Sequence, residues 1–77
     1  MQVQILIFGQ LADITGASEL ILQDMPDTDT LQECLHKLYP TLANTTYAIA
    51  MNKKTIQGNA IFSGDTTIAL IPPFSGG

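Results

Sequence analysis

A chain of 77 residues is one small domain, with no length for a second. Charged residues make up only 13% and hydrophobic ones 45%, a balance that excludes a highly charged disordered tail. The net charge is −4, arginine is absent, the only bases are Lys37, Lys53 and Lys54, and aromatics are 6% without tryptophan; nucleic acid, whose binders need a basic stripe and stacking platforms, is not an expected partner.

Residues 1–8 open with an alternation. Val3, Ile5 and Ile7 share one face and Gln2 and Gln4 the other, which predicts a strand with one face on a core. Gly9 punctuates it. Residues 11–16 read as an irregular or one-turn helical connection ended by Gly16. Residues 19–23 predict a second short strand, near enough in sequence to pair antiparallel with the first. Pro26 breaks that run and a helix follows. Thr28 or Asp29 fits its N-cap, and Thr30 with Glu33 fits a capping box. Leu31, Cys34, Leu35 and Leu38 form a single apolar stripe. Asp27, Asp29 and Glu33 near the start and Lys37 near the end suit the macrodipole. Pro40 stops the helix near Tyr39.

Residues 47–51 predict a third strand, 52–54 a turn, and 55–57 a short fourth strand ended by Gly58 and Asn59. Ser63, Gly64 and Asp65 form a tight turn. Residues 66–71 are the most strand-like run of the second half. Their near-continuous apolar character predicts an interior strand covered on both sides. The order ββαβββ is an α+β fold, a mixed sheet with one main helix packed on one face.

A domain this small buries only ~60% of its unfolded surface, and the single cysteine, Cys34, allows no internal disulfide. Apolar packing in a reducing compartment is the economical reading. No stretch approaches the ~20 apolar residues that cross a bilayer, and residues 1–8 lack the basic start and cleavage site of a signal peptide. A cytoplasmic location and no membrane partner are expected. Cys34 and His36 stand two apart on the helix and face different ways. Cys34 reads as a small buried hydrophobe, His36 as solvated. One cysteine and one histidine complete neither a metal set nor a Ser-His-Asp arrangement, so no metal is expected; a bound cofactor is not expected either. Six of the seven acids lie between Asp13 and Glu33 with no base among them. They read as a solvated face plus helix-start preference; the alternative is an acidic patch that speeds encounter with a basic partner. Lys53 and Lys54 read as turn residues.

After Ile71 come Pro72, Pro73, Phe74, Ser75, Gly76 and Gly77. Two prolines remove two ladder donors, so the sheet stops there. Residues 1–71 are therefore expected to be a folded body and 72–77 a tail. Six residues reach at most ~20 Å. Two terminal glycines have no Cβ and fit a narrow channel in another protein. An α-carboxyl with a pKa of ~3.3–3.7 is ionised at neutral pH and is a poor acyl electrophile. It needs activation, most simply as an acyl-adenylate made from ATP, before a sulfur or amine nucleophile takes the acyl group. The bland alternative is a terminus that merely ends in glycine.

Residues 69–77 resemble the C-terminal signature of the small, sulfur-carrying subunit of molybdopterin synthase. The resemblance spans nearly the whole chain: residues 3–16 are similar to that family's first strand and loop, 48–52 to its third strand and turn, and 63–66 to its last turn. Leu11, Ala12 and Asp13 depart from it, lacking the basic residue that many members carry there. The resemblance implies a ubiquitin-like β-grasp fold. It implies that Gly77 is adenylated with ATP by a ubiquitin-activating-like adenylyltransferase and converted to a thiocarboxylate by a sulfurtransferase. It implies insertion of the tail into a large catalytic subunit, where the sulfur passes to cyclic pyranopterin monophosphate to give the dithiolene of molybdopterin. On this resemblance Gly77 carries the sulfur, Gly76 gives clearance, and Pro72, Pro73, Phe74 and Ser75 line the tunnel contact; the alternative for Phe74 is to fold back onto its own body. Phe8 and Ile71, near the ends of the first and last strands, are the candidate docking surface. Two alternatives remain: a sulfur carrier of another pathway such as thiamine thiazole synthesis, against which Pro72 and Pro73 argue, and a ubiquitin-like protein modifier.

Overall fold

Among the described residues, 2–72 of a computed structural model, eight elements follow one another. They are β1 (Gln2–Ile7), α1 (Gln10–Thr15), β2 (Glu19–Gln23), α2 (Thr28–Leu38), α3 (Pro40–Ala43), β3 (Ala48–Met51), β4 (Lys54–Ile56) and β5 (Thr66–Ile71). The strands form one sheet in the order β2-β1-β5-β3-β4. β1 pairs antiparallel with β2 and parallel with β5, and β3 pairs antiparallel with both β5 and β4. A parallel pair needs a long crossover, and the segment holding α2 supplies it. This mixed sheet with one main helix on one face is the β-grasp of ubiquitin-like proteins, as expected.

Alternation decides which side chains enter the core. Val3, Ile5 and Ile7 of β1 are buried, as are Thr66, Ile68 and Leu70 of β5. The register sets Ile5 beside Ile68 and Ile7 beside Leu70, so the apolar rows of the two strands coincide. Ile49 of β3 lies opposite Leu70. Leu31 and Leu35 of α2 cover this floor, with Leu11, Leu42 and Phe62 closing the sides.

Several expectations are corrected. The apolar stripe of α2 is narrower than its spacing suggests: Leu38 is 57% exposed and Cys34 is half-buried. Leu42 of α3, a helix the sequence pattern did not reveal, is the next buried residue after Leu35. Pro40 ends α2 one residue earlier than expected and then begins α3, a place where its missing N–H costs nothing. The turn is Asn52 and Lys53, both at positive φ, with Met51 paired to Lys54. This is a two-residue hairpin, and it moves β4 to Lys54–Ile56. β5 is interior to the sheet but is not covered on both faces. Thr67, Ala69 and Ile71 alternate with the buried residues and are only half-buried.

The N-cap of α2 is Asp27, neither Thr28 nor Asp29, and its carboxylate accepts from the Thr30 N–H at 2.9 Å. Thr28 cannot cap because its side chain is buried and its hydroxyl is engaged elsewhere. It donates to Asn59 Oδ1 at 3.1 Å and accepts from the Ala60 N–H at 2.9 Å. Asn59 Oδ1 also accepts from the Asp29 N–H at 2.9 Å. The backbone of the following residues closes the join: the Thr28 N–H reaches Ala60 O, and the Phe62 N–H reaches Pro26 O, both at 2.9 Å. This long-range clasp carries Phe62 into the core.

Hydrogen bonds from Thr30, through its side chain first and its backbone second, hold the Asp27 carboxyl below its ordinary value of 3.8; Asn59 adds a smaller lowering. A folded-state value below the unfolded one stabilises the fold above the unfolded value, and that stability is lost as pH falls through the folded one. Asp27→Ala should therefore lower the melting temperature at neutral pH, and its gap to wild type should close as pH falls below about 4. A gap of equal size in acid and at neutrality would contradict this role.

Candidate functional site

The sheet face away from α2 is built from the alternate set of each strand. On β1 it begins polar, with Gln2 and Gln4, and turns apolar at Leu6 and Phe8. On the neighbouring strands Ala50 lies directly opposite Ala69. Two alanines side by side leave a hollow, with Leu6 and Phe8 on one flank and Asn52 and Lys53 on the other. The result is a shallow concavity of about 380 Å³ lined by Leu6, Phe8, Ala50, Asn52, Lys53, Thr67 and Ala69. Its rim is fixed by two bonds between Asn52 and Thr67. The Asn52 N–H donates to Thr67 O at 2.9 Å, and the Thr67 N–H donates to Asn52 Oδ1 at 3.2 Å. Phe8 is 49% exposed and Ile21, on β2 opposite Gln4, is 52% exposed. At the β2 edge Gln4 Nε2 donates to the Glu19 carboxylate.

β5 is central, so whatever follows it starts beside this face. Ile71 is half-buried and opposite Ala48, and Pro72 follows it. Of the residues expected to act, Phe8 lines the concavity, while Ile71 shares the face by alternation without lining the hollow. Pro72 sits at the end of the sheet. Pro73, Phe74, Ser75, Gly76 and Gly77 lie outside the described residues. Leu6, Ala50, Thr67, Ala69, Asn52 and Lys53 were not anticipated. A signal for Leu6 was present: apolar Leu6 and Phe8 occupy the face that Gln2 and Gln4 mark as polar.

The described residues hold no group of three His, Cys, Asp or Glu placed to bind a metal. His36 is not simply solvated. It is half-buried, its Nε2 lies 2.7 Å from the Tyr47 hydroxyl, and the two rings meet edge to face with centroids 6.1 Å apart. Burial raises the Tyr47 pKa above its ordinary value. Cys34 lies in a shallow groove on the outer face of α2 beside Thr30, Glu33, Lys37 and Leu38. The sheet concavity, by contrast, offers apolar area and one exposed aromatic, which suits a protein surface. Among the described residues no helix is long and apolar enough to cross a membrane.

A molybdopterin synthase sulfur carrier subunit of Arabidopsis thaliana is 32% identical, aligned over 100% of this chain and 84% of that relative. A chain from the complex of subunits 1 and 2 of the molybdopterin-converting factor of Helicobacter pylori is 26% identical, with a TM-score of 0.74 and 100% of both chains covered. Small archaeal modifier protein 1 of Methanosarcina acetivorans superposes with a TM-score of 0.83 over 99% of this chain and 96% of its own, at 21% identity, a likeness of fold. The ThiS family matches residues 5–77, nearly the whole length, and the chain belongs to that family.

Proposed function

We propose that this protein is the sulfur carrier subunit of a molybdopterin synthase. It delivers sulfur as a thiocarboxylate on Gly77 for conversion of cyclic pyranopterin monophosphate to molybdopterin. The observation that carries the proposal is the 32% identity to such a carrier along the entire chain. The likeness to the archaeal modifier is one of fold and does not favour the modifier reading.

The chemistry divides between partners. A carboxylate oxygen of Gly77 attacks the α-phosphate of ATP on a ubiquitin-activating-like adenylyltransferase, and pyrophosphate leaves. The terminal sulfur of a persulfide on a sulfurtransferase then attacks the adenylated carbonyl and AMP leaves; a thiol cleaves the resulting acyl disulfide, forming a disulfide with the sulfurtransferase sulfur and freeing the thiocarboxylate. In the large catalytic subunit the thiocarboxylate gives its sulfur to the pterin precursor, and water restores the carboxylate. The body (residues 1–71) docks by its open sheet face; the tail (72–77) delivers the reacting atom. Pro72, Pro73, Phe74 and Ser75 contact the channel, and Gly76 passes its narrowest part because it has no Cβ. These steps belong to the cytoplasm.

An exposed aromatic beside a shallow apolar hollow is the anchor such a surface needs. Phe8→Ala should weaken association with the large subunit by about tenfold or more without changing the melting temperature. Titration calorimetry that returns an unchanged affinity would remove Phe8 from the interface. The function itself is tested by reconstitution: the chain bearing a C-terminal thiocarboxylate, the large subunit and cyclic pyranopterin monophosphate should together yield molybdopterin, and the chain bearing an ordinary carboxylate should not. Equal yields from both forms would refute the proposal.

A further inference from the structure

Gly9 stands between β1 and α1 and touches the end of β5. Its φ is 57° and its ψ −138°, a backbone conformation that side chains with an L-Cβ rarely adopt. A Cβ placed there would lie 2.9 Å from Pro72 Cγ, 3.7 Å from Cδ and 3.8 Å from Cβ. The ring of Pro72 therefore lies across the bare Cα of Gly9. It cannot swing clear as a flexible side chain would, because its ring closes on its own backbone nitrogen.

The surrounding hydrogen bonds hold both partners. The Phe8 N–H donates to Leu70 O at 3.2 Å, fastening the end of β1 to β5. In a parallel ladder the next bond would run from the N–H of residue 72 to Phe8 O. Proline has no such N–H, and Phe8 O accepts from the Leu11 N–H at 3.2 Å instead. Gly9 O accepts from the Ala12 N–H at 3.0 Å. Gly9 is thus pinned by α1, and the contact with Pro72 takes over where the ladder ends.

We infer that Gly9 is a positioning residue for activation of the C-terminus: it seats the Pro72 ring, and that seat sets the direction in which the chain leaves the sheet towards Gly77. The inference rests on the sulfur-carrier reading. A proline's φ is fixed by its ring, so a direction set at Pro72 is passed on rather than lost there. A shift at Pro72 is a shift at the root of the segment that carries the reacting atom.

The test is pyrophosphate exchange by the adenylyltransferase that charges this carrier in its own organism, with the whole chain as varied substrate. Gly9→Ala should raise KM for the chain by about tenfold with kcat little changed, as expected for a loss at the binding stage. Pro72→Ala should do much the same. Because both remove one contact, the double variant G9A/P72A should be no worse than the poorer single variant. Factors that multiply would show that Gly9 is needed only for its turn, and an unmoved KM in Gly9→Ala would likewise overturn the inference. Should Gly9→Ala fail to fold, G9A/P72A measured against Pro72→Ala decides, since Pro72→Ala breaks no ladder bond and removes the ring: an equal KM in the two supports the seat, and a further rise, or a double variant that also fails to fold, sinks it. No exchange with the wild-type chain would bring down the sulfur-carrier reading and this inference with it, whereas exchange that Gly9→Ala leaves untouched brings down the inference alone.

Discussion

Removing Gly77, or adding a single residue beyond it, is expected to abolish molybdopterin formation and leave the melting temperature of the body unchanged. One residue is ~3.3–3.6 Å of chain. A reacting atom displaced by as little as ~1 Å can cost about a hundredfold in rate, so under the proposed function a whole residue too few or too many would take the carboxyl out of reach of the enzymes that act on it. Stability is unaffected because every element of the sheet closes before Pro72: β5 ends at Ile71, paired with Ala48. The measurement is molybdopterin yield in a reconstituted system, with thermal unfolding run in parallel. Wild-type yield from either altered chain would mean that the terminus is not where the sulfur rides.

The second large effect concerns the body. Leu35 is completely buried against the sheet, and Leu35→Ala should cost about 2–5 kcal/mol through lost burial and the cavity left behind. A 77-residue domain has a total stability of roughly 4–12 kcal/mol, so the variant loses a large share of it. Its melting temperature should fall by about 10 °C or more. Leu38, one turn further along α2 and 57% exposed, is the control: Leu38→Ala should stay within about 0.5 kcal/mol of wild type. Equal losses at the two positions would show that the buried face of α2 has been misplaced.

The contrast between these leucines shows what pattern alone conveys. Apolar spacing marks Leu31, Leu35 and Leu38 identically, yet it does not say where the supporting sheet ends or that α3 brings Leu42 into the core. Strands were easier. Val3, Ile5 and Ile7 alternate with glutamines, and the runs at 19–23 and 66–71 match β2 and β5 residue for residue. Long-range contacts left no local trace. Nothing near Asp27 announces that Asn59 will occupy Thr28 and Asp29, so the local pattern points to the wrong capping residue, and Phe62 has no periodic partners to mark it as core. The open sheet face is half visible in the sequence. Phe8 and Ile71 stand out because they are large and lie near strand ends, whereas Ala50 and Ala69 form the hollow by being small, which becomes apparent only when β3 and β5 are set side by side. Gly9 reads in sequence as mere punctuation; its contact with Pro72 crosses the whole chain.

The proposed function stands or falls on whether sulfur travels on the carboxyl of Gly77, and the sharpest test is the intact mass of the chain after expression with a candidate adenylyltransferase and a sulfur source. The expected species has one oxygen of the terminal carboxyl replaced by sulfur, and it is lost when ATP is withheld or Gly77 is deleted. A chain that keeps its ordinary mass under those conditions, or appears only joined through Gly77 to lysines of other proteins, would contradict it.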